Sequence, residues 1–310
     1  MRPQGFEIKL TPVTVVSMST PNPLPYYLGA PLWANKDWKG GFFSNAARPA
    51  DFLAEYARFF NAVEGNTTFY SVPSAAMVQR WRASTPAGFR FSFKFPRTIT
   101  HEARLQHCGA DVRAFLTRME PLGERLQPFM IQLPGRFGPD SLPVLARFLE
   151  ALPMDHAYAV EVRHPAFFTD PVCRAAYDRM LEAQGMDRVI FDSRPVHSAT
   201  ALDQPTREAQ ERKPRLPVQL DVTASRPLLR YIGHPVLVEN RRWLLPWAAQ
   251  TARWLEAGLV PYVFLHTPDN REAPALAQLF HALLQERLPH LPPLPVFPVQ
   301  DGPGSHGLLL

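Results

Sequence analysis

Short apolar runs recur along the chain and alternate with longer stretches whose apolar positions fall three and four residues apart. The first pattern predicts strands and the second amphipathic helices. The plainest strand is 89–95, FRFSFKF, where Phe89, Phe91, Phe93 and Phe95 alternate with Arg90, Ser92 and Lys94. A period of two puts the four rings on one face and the polar groups on the other. Seven further strands are predicted at 27–32, 60–64, 129–133, 158–163, 189–192, 228–232 and 262–266, beginning roughly 30 to 40 residues apart. Between them, Phe52, Leu53, Tyr56, Phe59 and Phe60 share helical spacing behind Pro49 and Asp51. Met77, Val78 and Trp81 form a second stripe that ends before Pro86, and Leu276, Leu279, Phe280, Leu283 and Leu284 form the last, closed by Pro289. Residues 174–182 and 242–256 read as helices too, while the polar segment 198–217 reads as a long loop holding a single helical turn.

Eight strand–helix units in about 265 residues have the size and rhythm of a TIM (β/α)8 barrel, an α/β fold. An open doubly wound sheet would call for a Gly-rich turn after the first strand, and none is present. The expected organisation is an irregular arm over 1–25, one barrel domain over 26–288 and a Pro/Gly-rich tail over 289–310. A fully buried parallel sheet reads as nearly continuous aliphatic sequence. These strands instead turn polar towards their C-terminal ends, at Glu64, Lys94, Gln132, Glu161 with Arg163, Asp192, Arg230 and His266. That end of a barrel is where active sites lie. The alternative is an internal network of ion pairs, three acids nearly balancing three bases.

Composition narrows the chemistry. Of 33 basic residues only five are lysine, and the formal net charge is +5, too small for a nucleic-acid-coating tail. Cys108 and Cys173 are the only cysteines, too few for a disulfide framework or a zinc site, so a cytoplasmic location is expected. No apolar run nears the ~18 residues of a transmembrane helix, and the N-terminus lacks the apolar core of a signal peptide. There is no Gly-x-Ser-x-Gly elbow, Walker loop or dinucleotide fingerprint. The sequence therefore requires no cofactor. A divalent metal stays open, with Glu161, Asp192 and His101, His164, His234 or His266 as ligands, although no tight ligand spacing supports it.

The segments FNAVEGNTTFYSVPS (60–74), FRFSFKFPRTITH (89–101) and EVRHPAFF (161–168) together resemble the domain-of-unknown-function family 72, the YecE-like proteins. Glu64, Asn66, Thr68, Phe69, Tyr70, Trp81, Lys94, Pro96, Ile99, Thr100, His101, Glu161, Arg163 and His164 carry the resemblance, which spans roughly 26–288. It implies a TIM barrel with a polar pocket at the strand ends and supplies no reaction. Gly65 stands where the family carries an apolar residue, Phe167 where Ser-Trp is usual, and Ile232 where a histidine is common. The last strand also runs into HTPDN rather than paired asparagines.

Two functions are compatible with these residues. The first is a hydrolase-like enzyme for a small anionic or phosphorylated substrate. Lys94 and Arg163 would stabilise developing charge, and Glu64 or Glu161 would act as base. Asn66, Arg97, His101, Gln132, Asp192, Arg230 and His266 would bind substrate. The second is a non-catalytic module for nucleic acid or another anion, using the barrel mouth and the basic loop 207–215. Glycoside hydrolysis by the Glu64–Glu161 pair is disfavoured, because neighbouring cations spoil a carboxyl as an acid.

Overall fold

The computed structural model describes residues 24–297. Nearly all of the expected arm, 1–25, and the end of the expected tail, 298–310, lie outside the described residues. All eight strands form: β1 (Tyr27–Gly29), β2 (Ala62–Gly65), β3 (Arg90–Phe93), β4 (Phe129–Gln132), β5 (Tyr158–Glu161), β6 (Asp187–Asp192), β7 (Leu228–Ile232) and β8 (Tyr262–His266). The helices between them are α1 (Phe52–Tyr56), α2 (Thr67–Tyr70), α3 (Ala75–Ala83), α4 (Gly109–Met119), α5 (Leu142–Glu150), α6 (Ala166–Thr169), α7 (Pro171–Ala183), α8 (Arg194–His197), α9 (Gln204–Arg212), α10 (Arg241–Glu256) and α11 (Ala273–Gln285). No helix among the described residues is long and apolar enough to cross a membrane.

The strands do not join into the closed eight-stranded barrel that their number predicts. They form a six-stranded parallel sheet, ordered β1-β8-β7-β6-β5-β4, and a separate parallel pair, β2-β3. Each seam has an identifiable cause. Between β1 and β2, one backbone bond crosses, Glu64 N to Ala30 O at 3.1 Å, and side chains stand in for the rest of the ladder. Leu28 N donates to Asn61 Oδ1 at 2.8 Å, Ala30 N donates to the Tyr56 hydroxyl at 2.7 Å, and that hydroxyl donates to Ala62 O at 2.9 Å. Gly29 allows this close approach, since a Cβ there would lie 2.0 Å from Ala62 O. Between β3 and β4 only two isolated bridges form, Phe91–Leu126 and Lys94–Met130. Odd-numbered amides of β4 face β5, as in Phe129 N to Ala157 O at 2.8 Å and Leu133 N to Glu161 O at 2.8 Å. The first even-numbered position on the β3 side is Pro128, which has no N–H to donate.

Alternation divides the buried side chains into two cores. Outward-facing rings from β3 pack under the helices: Phe93 stacks on Trp81 of α3 at 5.1 Å, and Phe95 meets Phe115 of α4 and Phe148 of α5. The inward faces supply a smaller cluster, Ala62, Met130, Ala159, Val189, Leu228, Tyr262 and Phe264. This apolar layer plugs the space between the sheets and carries the polar residues above it at the C-terminal strand ends.

The segment expected to be a loop contains the nine-residue helix α9. Asp203 caps it by accepting from Thr206 N at 2.7 Å, and Pro205 occupies the first turn. Its length supports pairing between Glu208 and Arg212 one turn apart, at 3.0 Å.

Candidate functional site

The C-terminal ends of the strands open into a cavity of about 1180 Å³. Its floor is a closed ring of hydrogen bonds and ion pairs. Arg230 on β7 grips Glu64 on β2 through two parallel bonds, Nε to Oε2 and Nη2 to Oε1, each 2.8 Å, and its Nη1 donates to Glu161 Oε2 on β5. Arg163, just past β5, donates from Nε to Glu161 Oε1 at 2.6 Å and from Nη2 to Gln132 Oε1 at 3.0 Å. The same Gln132 oxygen accepts from Lys94 Nζ at 2.9 Å, and Nζ lies 3.6 Å from Glu64 Oε1, which closes the circuit. His266 at the end of β8 sits 3.0 Å from Glu64 Oε2. Gly65 follows Glu64 and has no room for a side chain, since a Cβ would lie 2.1 Å from Phe93 Cδ1.

The ring therefore joins six of the predicted site residues directly, with His266 as a seventh. Asp192 is not among them. On β6 the inward residues are Val189 and Phe191, so Asp192 lies on the opposite face. It accepts from Arg194 Nε at 2.9 Å and from the indole of Trp247 on α10 at 2.8 Å, and does not line the cavity. Without it the expected balance of three acids and three bases becomes two carboxylates against Lys94, Arg163 and Arg230. Asn66 lines the cavity with its Nδ2 bonded to Pro31 O at 2.9 Å and its Oδ1 unpartnered. Arg97 pairs with Glu102 at 3.1 Å on the rim, and His101, beside Phe69, bonds through Nδ1 to Thr100.

Electrostatics follow from this burial. Burial alone would raise the Glu64 carboxyl, but Arg230, His266 and Lys94 hold it well below the usual range. Glu161 likewise is drawn down to about 2 by Arg163, Arg230 and Lys94 against its burial. Neither carries a proton near neutral pH, so neither can act as the acid of a glycoside hydrolase. Burial, assisted by Arg230, pushes Lys94 down to about 7. His101 and His266 both fall to about 4, chiefly through burial, with Arg163 the next cause for His101.

Sequence patterning missed Lys213, which lines the cavity just beyond α9 and is pushed down to about 8 by burial and by Arg230. It lies outside any strand, where no alternation marks it. The available signal was compositional: two of only five lysines face this cavity. Among the described residues no three His, Cys, Asp or Glu side chains converge, so the metal left open by the sequence finds no ligand set there.

The described residues make a parallel-stranded α/β fold with a charged, donor-rich cavity at its strand ends. Residues 27–298 match the family described as Protein of unknown function DUF72, and the chain belongs to that family. It is 44% identical over 276 residues to the UPF0759 protein YecE of Escherichia coli strain K12, covering 89% of this chain and 98% of that one. Among solved structures, a DUF72 family protein from Enterococcus faecalis V583 superposes with a TM-score of 0.65 at 18% identity, over 84% of this chain and 95% of that one. One from Thermotoga maritima MSB8 gives 0.64 at 22% identity, over 86% and 99%. At that identity the two structures speak for the fold alone.

Proposed function

We propose that the chain is an enzyme, hydrolase-like in its chemistry, that takes a small anionic or phosphorylated substrate into this cavity. The observation that carries the reading is the sign of the wall. Lys94, Arg163, Lys213 and Arg230 line it, three of them against the two floor carboxylates Glu64 and Glu161. The rim adds Arg97 and Arg212, paired with Glu102 and Glu208, and Asp269. Glu208 and Asp269 are themselves engaged, by Arg212 at 3.0 Å and Arg271 at 3.9 Å. Arg163 bonds through Nε and Nη2, which leaves Nη1 with no protein acceptor among the described residues. With the third hydrogen of Lys94 Nζ, the amide nitrogen of Gln132 and the amine of Lys213, it offers donors that an anion's oxygens would accept.

In this reading Glu64 and Glu161 hold Arg230 and Arg163 in place rather than take up protons. Lys94 and Arg163 stabilise the charge that develops on the phosphoryl oxygens as water attacks. Asn66 accepts a substrate hydroxyl, and His101 and Arg97 stand at the entrance. A nucleic-acid surface is less well supported. The rim arginines Arg97, Arg212 and Arg271 pair with neighbouring carboxylates, so positive charge is concentrated inside the cavity rather than spread outside it.

The test is a titration with inorganic phosphate and pyrophosphate joined to a phosphoester screen. Arg163→Ala is expected to weaken binding about tenfold or more, the size of one charge-assisted hydrogen bond. Lys94→Ala is expected to abolish any turnover found. Undiminished binding in Arg163→Ala would remove the anion site from this cavity.

A further inference from the structure

This chain uses arginine for nearly all its positive charge. Of 33 basic residues 28 are arginine, and only Lys9, Lys36, Lys39, Lys94 and Lys213 are lysine. Arginine stays charged at any physiological pH and is a poor nucleophile, whereas a lysine amine can lose its proton and attack. At the floor of the cavity, where a permanent bidentate donor would serve anion binding better, the chain places Lys94.

The surroundings of Nζ are those of an activated amine. Lys94 is 8% exposed, and the ring of Phe69 covers one side at 5.9 Å. It belongs to the same closed ring as Arg163 and Arg230, so protonating it places a third cation beside two that cannot discharge. Glu64, 3.6 Å from Nζ, and Glu161 pull the other way, but each is already held by those arginines, and burial outweighs them. Desolvation next to other cations is the usual way to make a lysine nucleophilic. Gln132 Oε1, at 2.9 Å, orients the amine, and that oxygen is itself fixed by Arg163. The free Nη1 of Arg163 lies on the same wall, ready to take the anionic end of a short molecule whose other end meets Nζ.

We propose that Lys94 Nζ forms an imine with a small carbonyl compound bearing a carboxylate or phosphate, which rests on the reading of the cavity as an anion site. The lone pair of Nζ forms a bond to the carbonyl carbon, and the carbonyl π pair moves to oxygen, which takes up a proton while nitrogen sheds one to solvent. The carbinolamine then expels that oxygen as water while nitrogen loses its second hydrogen and C=N forms. Amine and carbonyl give imine and one water, and nothing is oxidised or reduced. The imine would draw electrons from the adjacent carbon, a role for which Lys94 alone in the cavity floor is suited.

Incubation of the intact protein with glyoxylate and borohydride, followed by peptide mapping, tests this. Hydride adds to the imine carbon and a proton to nitrogen, which leaves a stable secondary amine. The expected result is an adduct on Lys94 that forms on the order of a hundredfold faster than on the exposed Lys36 and Lys39, because an ordinary lysine near pKa 10.4 is almost wholly protonated at pH 7. The rate should rise as pH climbs through about 7, following Lys94. The Lys94→Arg protein, with its fold checked by circular dichroism, should lose the fast adduct. Mapping on the unmodified sequence keeps the test valid if that variant does not fold. Equal labelling of Lys36 and Lys39, or preference for Lys213, would overturn the proposal. Phosphate separates the two readings. Phosphate that binds by calorimetry with no trapping at Lys94 removes the imine and leaves the anion site. Trapping that phosphate does not slow keeps the imine and removes the anion site.

Discussion

Lys94, Arg230 and the two glutamates show how strongly single residues depend on one another here. Arg230 is fully buried with all three of its nitrogens engaged, so removing either carboxylate would leave a buried charge short of a partner, an effect of about 3–5 kcal/mol. The pH dependence of stability follows from the same contacts. His101 and His266 sit near 4 in the folded chain and near 6.5 when unfolded, so the unfolded state binds protons first as pH falls. Their contribution is lost between about 6.5 and 4. Glu161 near 2, and Glu64 on the same side of its ordinary range, contribute above the unfolded carboxyl value of about 4.3 and lose that as pH falls towards 2. Asp187, raised to about 7 by burial, works the other way and gains stability as pH falls from about 7 towards about 4. The clear fall in urea midpoint is therefore expected between pH 5 and 3, where the carboxylates Glu161 and Glu64 lose their contribution. Imidazole resonances of His101 or His266 that titrate near 6.5 in the folded chain would refute their neutral state at pH 5. Glu64, Lys94 and Glu161 were legible in the sequence because their strands place a polar residue among apolar or small ones with clear parity. Asp192 was not, because Val189 and Phe191 on one face of β6 and Ile190 on the other are all apolar, so the residues beside it give alternation no direction.

At the scale of the element, one phenol makes two of the bonds that join β1 and β2, beside Asn61 and a single backbone bond. The Tyr56 hydroxyl satisfies both Ala30 N and Ala62 O, each buried. Tyr56→Phe is expected to cost about 1–3 kcal/mol for each group stranded, read as a lower urea midpoint, with faster hydrogen exchange at the Ala30 amide. A midpoint equal to the parent's would mean that the strands close on each other once the hydroxyl is gone. All eight strands could be read from periodicity, since each is a short apolar run between turn residues. Their closure could not, because it depends on whether Tyr56, Asn61 and Pro128 interrupt a ladder, and pattern does not report on ladders. Helix α9 escaped for a different reason. Its exposed face is almost wholly polar, so the readable signs were the Asp203 cap, Pro205 and the Glu208–Arg212 spacing rather than an apolar stripe.

For the whole molecule, when Lys94 is protonated the three cations and two carboxylates of the floor leave one positive charge that the fold does not neutralise. An anion that binds only the folded chain should supply it and raise thermal stability, by about 2.7 kcal/mol when present at a hundred times its dissociation constant. Phosphate is expected to raise Tm while chloride at equal ionic strength does not, and Arg163→Ala should lose the difference. An equal response to both salts would point to screening alone. The sequence located the polar end of the molecule because Glu64, Gln132, Glu161 and His266 lie at or next to the ends of their strands and Lys94 and Arg163 just beyond them, although Arg90, Asp187 and Arg188 stand at strand starts. It overstated the charge balance because Asp192 was assigned to the wrong face.

The missing side chain at Gly65 bears on how this chain can change over time. The ring of Phe93 fills the space where a Cβ would stand, and that ring is wedged between Trp81 and Phe91. Positions 65 and 93 thus share a single volume. Whatever atoms are gained at 65 must be surrendered at 93, and the surrender would loosen the aromatic stack under α3. The two positions can drift only as a pair, and the glycine beside Glu64 records which of them holds the space.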